Sequence, residues 1–166
     1  MPGQKIDVRE LALAVFAVSG QLIETGNALV APLGLTSAWW QVLGALRYSP
    51  APLPTASIAR NMGLTRQAVQ RSVDILADRG LVEFRPNPHH RRAKLVVLTE
   101  AGQEAVSRAE QAAGPIDQAI VDRIGSQQIR EAVATLQAVS AVLAEELEVS
   151  PQRSSGEHYP QKETNQ

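Results

Sequence analysis

Residues 55–99 of this 166-residue chain read TASIARNMGLTRQAVQRSVDILADRGLVEFRPNPHHRRAKLVVLT. The first part of this stretch predicts a short helix over residues 55–62 that ends at Gly63. The next part predicts a second helix over residues 65–79, and Gly80 is suited to a left-handed C-cap. Two short helices joined by a turn that contains glycine form a helix-turn-helix.

A β-hairpin, or wing, is predicted directly after these helices. The segments Leu81–Arg85 and Lys94–Leu98 are rich in Val and Leu, which favour strands. Pro and Asn in the loop at 86–93 favour a turn. Because Arg91 and Arg92 lie in this loop, the hairpin has a basic tip.

The second helix has an apolar side and a polar side at about 100° per residue. The apolar side carries Val69, Val73 and Leu76. Long polar side chains lie away from it or in the first turn: Arg66, Gln67, Gln70 and Arg71. In a DNA major groove, Arg can pair with guanine and Gln with adenine, and Thr65 at the helix N-terminus can bind a phosphate. The alternative is an ordinary surface helix whose polar side faces water.

Charge is unevenly distributed along the chain, although the net charge is only −1. Residues 54–99 carry +5 and residues 100–148 carry −6. This separation indicates a polyanion-binding surface in the basic segment. A tip arginine can enter a narrow DNA minor groove, whereas the alternative is a solvated charged loop. Two adjacent histidines, His89 and His90, add positive charge when protonated, and their adjacency makes them poor joint ligands for one metal ion.

Composition excludes several classes of function. The chain has no cysteine, which removes disulfides, thiolate zinc sites and cysteine nucleophiles. No glycine-rich phosphate loop and no nucleophile–base pair is present, so we expect no enzymatic activity, no cofactor and no metal. The longest apolar run, Leu11–Val18, is too short to cross a bilayer, and we find no secretory signal. We therefore expect a cytoplasmic protein.

Helices are predicted on both sides of the basic segment. One covers residues 6–29, and another covers 37–48 with Thr36 as its N-cap. Thr99 caps a helix that Gly114-Pro115 kinks or interrupts. A last helix begins with Ser126 as its cap, and its apolar residues have near-heptad spacing: Ile129, Val133, Leu136, Leu143 and Leu147.

These elements predict a mainly α-helical chain with a small β-hairpin wing. We divide it into an N-terminal dimerisation helix (1–35), a winged helix-turn-helix domain (36–99), C-terminal dimerisation helices (100–148) and a disordered tail (149–166). The terminal helices have more apolar surface than a small winged helix covers. They either pack on each other within one chain or pair with a second copy, and the near-heptad spacing favours the second copy.

The stretch Leu64–Gly102 resembles the multiple antibiotic resistance regulator (MarR) family, and LTSAWWQVLGAL at 35–46 is similar to the second helix of that family. The resemblance extends over about residues 6–148. The family's wing motif is Asp-x-Arg, five residues, then Leu-Thr. Arg92 and Leu98-Thr99 match it, and His90 stands at the Asp position. In the family this Asp fixes the wing through an ion pair, so His90 puts the rigidity of the wing in question.

Family resemblance implies a homodimeric repressor or activator, with Arg92 at the DNA minor groove and residues 65–72 at the start of the recognition helix. It also implies a small anionic or aromatic effector between the dimerisation helices and the winged domain. Candidate effector-binding residues are Phe16, Trp39, Trp40 and Arg47. Aromatic side chains at helical spacing equally fit core packing, so both interpretations stay open.

We therefore predict a sequence-specific regulator that binds double-stranded DNA as a homodimer on an inverted repeat. The predicted DNA-binding residues are Thr65, Arg66, Gln67, Gln70, Arg71, His90, Arg91 and Arg92. The alternative is a winged-helix module that binds another protein without binding DNA. A protein-binding wing needs an apolar tip, whereas this tip is basic. RNA binding is disfavoured because the basic segment has no aromatic stacking platform.

Overall fold

The helix-turn-helix and hairpin predicted for residues 55–99 are present in the computed structural model. It describes the backbone of residues 2–90 and 92–153 and the side chains of residues 7–90 and 92–146. The helices are α1 (Pro2–Val30), α2 (Ser37–Arg47), α3 (Thr55–Met62), α4 (Arg66–Asp78), α5 (Glu100–Ile124) and α6 (Ser126–Arg153). The strands are β1 (Leu53–Pro54), β2 (Val82–Arg85) and β3 (Leu95–Leu98). The predicted fold class, mainly α-helical with a small hairpin wing, is confirmed.

Threonine side chains cap three of the helices: Thr36 and Thr99 do so as predicted, and Thr65, predicted as the first helical residue, is the N-cap of α4. The hydroxyl oxygen of Thr36 accepts a hydrogen bond from the Trp39 N–H at 3.2 Å. The Thr65 hydroxyl oxygen likewise accepts from the Ala68 N–H at 3.2 Å. Such caps satisfy backbone donors that the first helical turn leaves unpaired. They fix the residue at which α2 and α4 begin.

Thr99 caps α5 and also ties it to the end of α4. Its hydroxyl oxygen accepts from the Gly102 N–H at 3.0 Å, and its hydroxyl group donates to the Gly80 carbonyl at 2.6 Å. Gly80 has a positive φ of 71°, which glycine adopts without steric cost. The C-terminus of α4, the wing and the N-terminus of α5 are therefore joined at one point.

The sheet has three antiparallel strands in the order β1-β3-β2. In the hairpin, Val82 pairs with Leu98, and on the other side of β3 Leu53 pairs with Val96. Sequence analysis missed β1 because its two residues lie in a proline-rich connector. Pro54 lacks an N–H but is tolerated there because β1 lies at the edge of the sheet.

The core joins the winged domain to the C-terminal end of α1. Its fully buried side chains are Val30, Val42, Leu43, Ile58, Val69, Val73, Leu76, Val96 and Val106. The three residues predicted for the apolar side of α4 are all in this set. Burial of that side directs the polar side of α4 to solvent.

The sequence predicted that Gly114-Pro115 would kink or interrupt the helix that follows Thr99. α5 contains Pro115 and is not interrupted there, so the interruption is ruled out, whereas the kink stays a prediction. A proline inside a helix removes one backbone hydrogen bond, and the long helical stretches on both sides of Pro115 retain theirs. The chain divides into two compact units at this point, Met1–Pro115 and Ile116–Gln166.

α6 begins at Ser126, directly after Gly125 with its positive φ of 92°. Ser126 is therefore the first helical residue, whereas the sequence predicted it as the cap before the helix. The helix continues to Arg153, beyond the predicted start of the tail at 149. The remainder of the predicted disordered tail, 154–166, lies outside the described residues.

Three long helices expose several large apolar side chains each in the single chain. On α1 these are Val8, Leu13, Val15, Phe16, Val18, Leu22 and Ile23; on α5 they are Ile116, Ile120, Val121 and Ile124; and on α6 they are Val133, Leu136, Val139, Val142 and Leu143. The segment Asp7–Leu33 is long enough to cross a membrane and contains an 18-residue stretch that is apolar enough to do so, by length and composition alone. Sequence analysis did not predict this segment, because it considered only the longest uninterrupted apolar run, Leu11–Val18.

Candidate nucleic-acid interface

The recognition helix α4 has the two-sided character that its sequence predicts. Val69 and Val73 are buried beneath it, whereas Arg66, Gln67 and Arg71 are exposed. Gln70 is half-buried. The long polar side chains therefore face away from the core. Thr65, at the N-cap, is exposed as well.

A groove of about 600 Å³ runs between α3, α4 and the wing. From α4 it is lined by Arg66, Gln70 and Asp74, and from the wing by Phe84, His90, Arg92, Ala93 and Lys94. The α3 side is formed by Pro54, Thr55, Ala56, Ser57 and Arg60. We call this the wing groove. It extends from the recognition helix to the wing, as a surface that contacts both grooves of a duplex requires.

The wing groove brings together four of the predicted DNA-binding residues: Arg66, Gln70, His90 and Arg92. Three others, Thr65, Gln67 and Arg71, are exposed on or beside α4 but do not line the groove. Arg91 lies outside the described residues. The predicted set thus divides between the groove and the neighbouring exposed surface of α4.

Positive charge dominates the wing groove. Its cations are Arg60, Arg66, Arg92 and Lys94, and its one carboxylate is Asp74. Within residues 7–90 and 92–146, the only ion pair joins Arg85 to Glu83 at 2.6 Å, outside the groove. No protein carboxylate in that part of the chain therefore neutralises the groove cations, and they are available to phosphates.

Two groove cations were absent from the predicted site. The guanidinium of Arg60 donates a hydrogen bond to the Ser57 hydroxyl at 3.1 Å, and the Lys94 ammonium lies 5.7 Å from the centre of the Phe84 ring. Both lie within residues 54–99, and the net charge of +5 for that segment already includes them. Only the packing of α3 and the hairpin beside α4 shows that they share a surface with Arg92.

Local hydrogen bonds shape the tip of the wing. The side-chain oxygen of Asn87 accepts from the His89 N–H at 3.0 Å, and the Ala93 N–H donates to the His90 carbonyl at 3.1 Å. His90, at the position of the family's aspartate, makes no ion pair with any described residue. The described residues of the turn are thus joined by backbone and amide hydrogen bonds, with no ion pair among them.

The four candidate effector-binding residues lie in different surroundings in the described part of the chain. Phe16 is 74% exposed on α1. Trp39 and Trp40 are half-buried against the core, and the Arg79 guanidinium lies 5.0 Å from the centre of the Trp39 ring. Arg47 lines a separate cavity of about 310 Å³ between α2, the following loop and β3. Among the described residues, no group of three or more potential metal ligands is found.

A helix-turn-helix, a wing and a cationic groove between them define a winged helix-turn-helix protein of the DNA-binding class. The MarR family model matches residues 33–93. An uncharacterised protein of Mycobacterium tuberculosis is 35% identical over 118 residues, which cover 71% of this chain and 81% of that protein. The chain belongs to the MarR family and is a DNA-binding transcription regulator.

Solved structures support this assignment. Wild-type MarR of Escherichia coli is 25% identical with a TM-score of 0.62, over 78% of this chain and 95% of that chain. The transcriptional repressor CouR, solved with a 23-mer DNA duplex, is 26% identical with a TM-score of 0.63, over 79% of this chain and 92% of that chain.

Proposed function

We propose that this regulator is a homodimeric repressor that binds an inverted-repeat operator. The observation that carries the proposal is the wing groove, where Arg66 and Gln70 of α4 and Arg92 of the wing share one cationic surface. In each chain, α4 enters a major groove and Arg92 reaches toward the flanking minor groove. The two recognition helices then lie about one helical turn, ~34 Å, apart on one face of the duplex. CouR, a repressor solved on DNA, supports the same mode of action.

The exposed apolar faces of α1 and α6 support dimerisation. A contiguous row of exposed apolar side chains is costly in water and marks an interaction surface. The apolar positions of α6 include Val133, Leu136 and Leu143, which have near-heptad spacing. We assign these faces to a second copy of the chain rather than to a membrane, and we place the protein in the cytoplasm.

A small anionic or aromatic effector would release the dimer from DNA. An effector that binds only one spacing of the two winged domains shifts DNA affinity by a coupling free energy of about 1–3 kcal/mol. Arg47 supports an anionic effector because it lines the cavity of about 310 Å³ next to apolar side chains such as Leu46 and Val97. Phe16, Trp39 and Trp40 stay candidates on the basis of sequence alone.

Selection of bound duplexes from a random DNA pool tests the proposed function. The purified protein should enrich an inverted repeat with half-sites one helical turn apart. Enrichment of a single unpaired motif would contradict the homodimer on a palindrome. Failure to enrich any duplex at low salt would contradict operator recognition and favour the protein-binding alternative.

Replacing Arg92 by Ala should weaken binding to all DNA sequences. Each arginine that neutralises a phosphate contributes about one unit to the slope of log K against log salt. A dimer carries two copies, so Arg92→Ala should reduce the slope by about two. Titrations of operator and non-specific duplexes at several salt concentrations measure this effect.

The matched control is Arg123→Ala, which removes an exposed arginine of α5 far along the chain from the groove. It should leave the salt slope unchanged. An unchanged slope for Arg92→Ala would show that the wing does not contact DNA phosphates.

A further inference from the structure

One residue of the wing groove has the wrong charge for binding DNA. Asp74 lies on α4 one helical turn after Gln70, and both line the groove. A carboxylate beside phosphates is repelled and lowers the affinity for every DNA sequence. Affinity therefore does not account for Asp74 at this position.

Asp74 is also not occupied in neutralising a groove cation. No described cation lies within ion-pair distance of it, although Arg66 belongs to the same helix and the same groove. Its contact is with an amide: the Gln70 side-chain Nε2 donates a hydrogen bond to the Asp74 carboxylate at 2.8 Å. This contact joins positions i and i+4, which are neighbours on a helix surface.

That hydrogen bond determines which way the Gln70 amide faces. If the amide were flipped, its carbonyl oxygen would meet the Asp74 carboxylate, and two acceptors would repel each other. With the observed orientation, one N–H of Gln70 is bound to Asp74. The carbonyl oxygen and the second N–H remain available.

We propose that Asp74 is a positioning residue that sets the base preference of this regulator through Gln70. The free carbonyl oxygen and N–H of Gln70 form an acceptor–donor pair that matches the N6 donor and N7 acceptor of adenine in the major groove. The inference rests on the proposed function, since it requires α4 to read base edges. It assigns an A·T pair in each half-site to Gln70.

Asp74 has a second consequence for selectivity. Its repulsion of phosphates acts on all duplexes, whereas its orientation of Gln70 helps only where adenine is present. The two effects together widen the ratio of specific to non-specific affinity.

Variants of the full-length protein test the proposal on the operator selected from the random pool. Binding of wild type, Gln70→Ala, Asp74→Ala, Asp74→Asn and the double variant Gln70→Ala/Asp74→Ala is measured. Each is titrated against the operator, against every single base-pair change in one half-site, and against non-specific DNA. Asp74 is exposed, and thermal unfolding of each variant verifies that it is folded.

We expect Gln70→Ala to lose discrimination at one A·T pair by about five- to 150-fold, the range of a good bidentate contact. Asp74→Ala should lose at least about threefold of the discrimination at that same pair and bind non-specific DNA more tightly. Asp74→Asn offers Gln70 both an acceptor and a donor, so either orientation of the Gln70 amide is satisfied. It should therefore lose discrimination at the same pair, as Asp74→Ala does, and also bind non-specific DNA more tightly.

The proposal would be overturned by wild-type discrimination in Asp74→Ala or in Asp74→Asn. It would also be overturned if Asp74→Ala changed base preference when Gln70 is already Ala. These outcomes leave the proposed function intact, because the wild type would still bind its operator. If the wild type selects no operator at all, the proposed function is contradicted, and this inference, which depends on it, is contradicted too.

Discussion

Gly102→Ala is expected to destabilise the protein by roughly 3 kcal/mol, the upper end of the cost of overpacking a core. A Cβ atom at this position would overlap the Leu81 carbonyl oxygen and would lie 3.2 Å from a methyl group of Leu98. The overlapped neighbour is backbone and cannot rotate away. The Leu81 carbonyl also accepts the Thr99 N–H at 3.2 Å, so any movement disturbs the junction of α4, wing and α5.

Gly44→Ala is the matched control, since Gly44 also lies inside a helix, but a Cβ atom added there would have no neighbour within 4 Å. Alanine is the better helix former, so this change should stabilise the protein by about 0.5–1 kcal/mol. Urea unfolding followed by circular dichroism at one protein concentration compares the two variants. Equal stability of Gly102→Ala and wild type would show that α5 does not approach the wing this closely.

Leu143→Asp is expected to split the dimer and to lower operator affinity by about 10²- to 10⁴-fold. Leu143 is 59% exposed on α6 in the single chain, so a carboxylate there costs the monomer little. In the proposed dimer the same side chain is covered, and burying an unpaired charge is strongly unfavourable. The variant should remain helical, sediment as a monomer and lose the second half-site contact.

Ala134→Asp is the matched control on the same helix. At about 100° per residue, Ala134 lies on the opposite side of α6 from Leu136 and Leu143, and it is exposed as well. This substitution introduces the same aspartate side chain, with the same charge and helix propensity, and it should leave the dimer and its DNA affinity unchanged. A dimeric Leu143→Asp variant with wild-type affinity would exclude this face of α6 from the interface.

The helix-turn-helix could be predicted because helix caps and helical periodicity depend on residues that are close together in the sequence. Threonine caps at Thr36, Thr65 and Thr99 need only neighbouring backbone N–H groups. The buried side of α4 follows from its helical period, and Val69 and Val73 are buried as that period requires. Such features depend little on distant parts of the chain.

Features that depend on distant contacts were not predictable. β1 exists because Leu53 pairs with Val96, far along the chain. Arg60 and Asp74 line the wing groove only through the packing of α3, α4 and the wing. The sequence likewise could not show that α5 continues through Pro115. A proline in the sequence is compatible both with a helix that ends there and with a helix that continues with one backbone hydrogen bond missing.

The central claim is that two identical chains bind one duplex together. Measuring how affinity depends on the spacing between the half-sites tests this claim most directly. Five base pairs inserted at the centre of the selected operator turn the half-sites to opposite faces of the DNA, about half a helical turn apart. We predict two chains bound per operator and about a 100-fold loss of affinity on insertion, as the second contact is lost. The account would be contradicted if only one chain bound per operator, or if the insertion left the affinity unchanged.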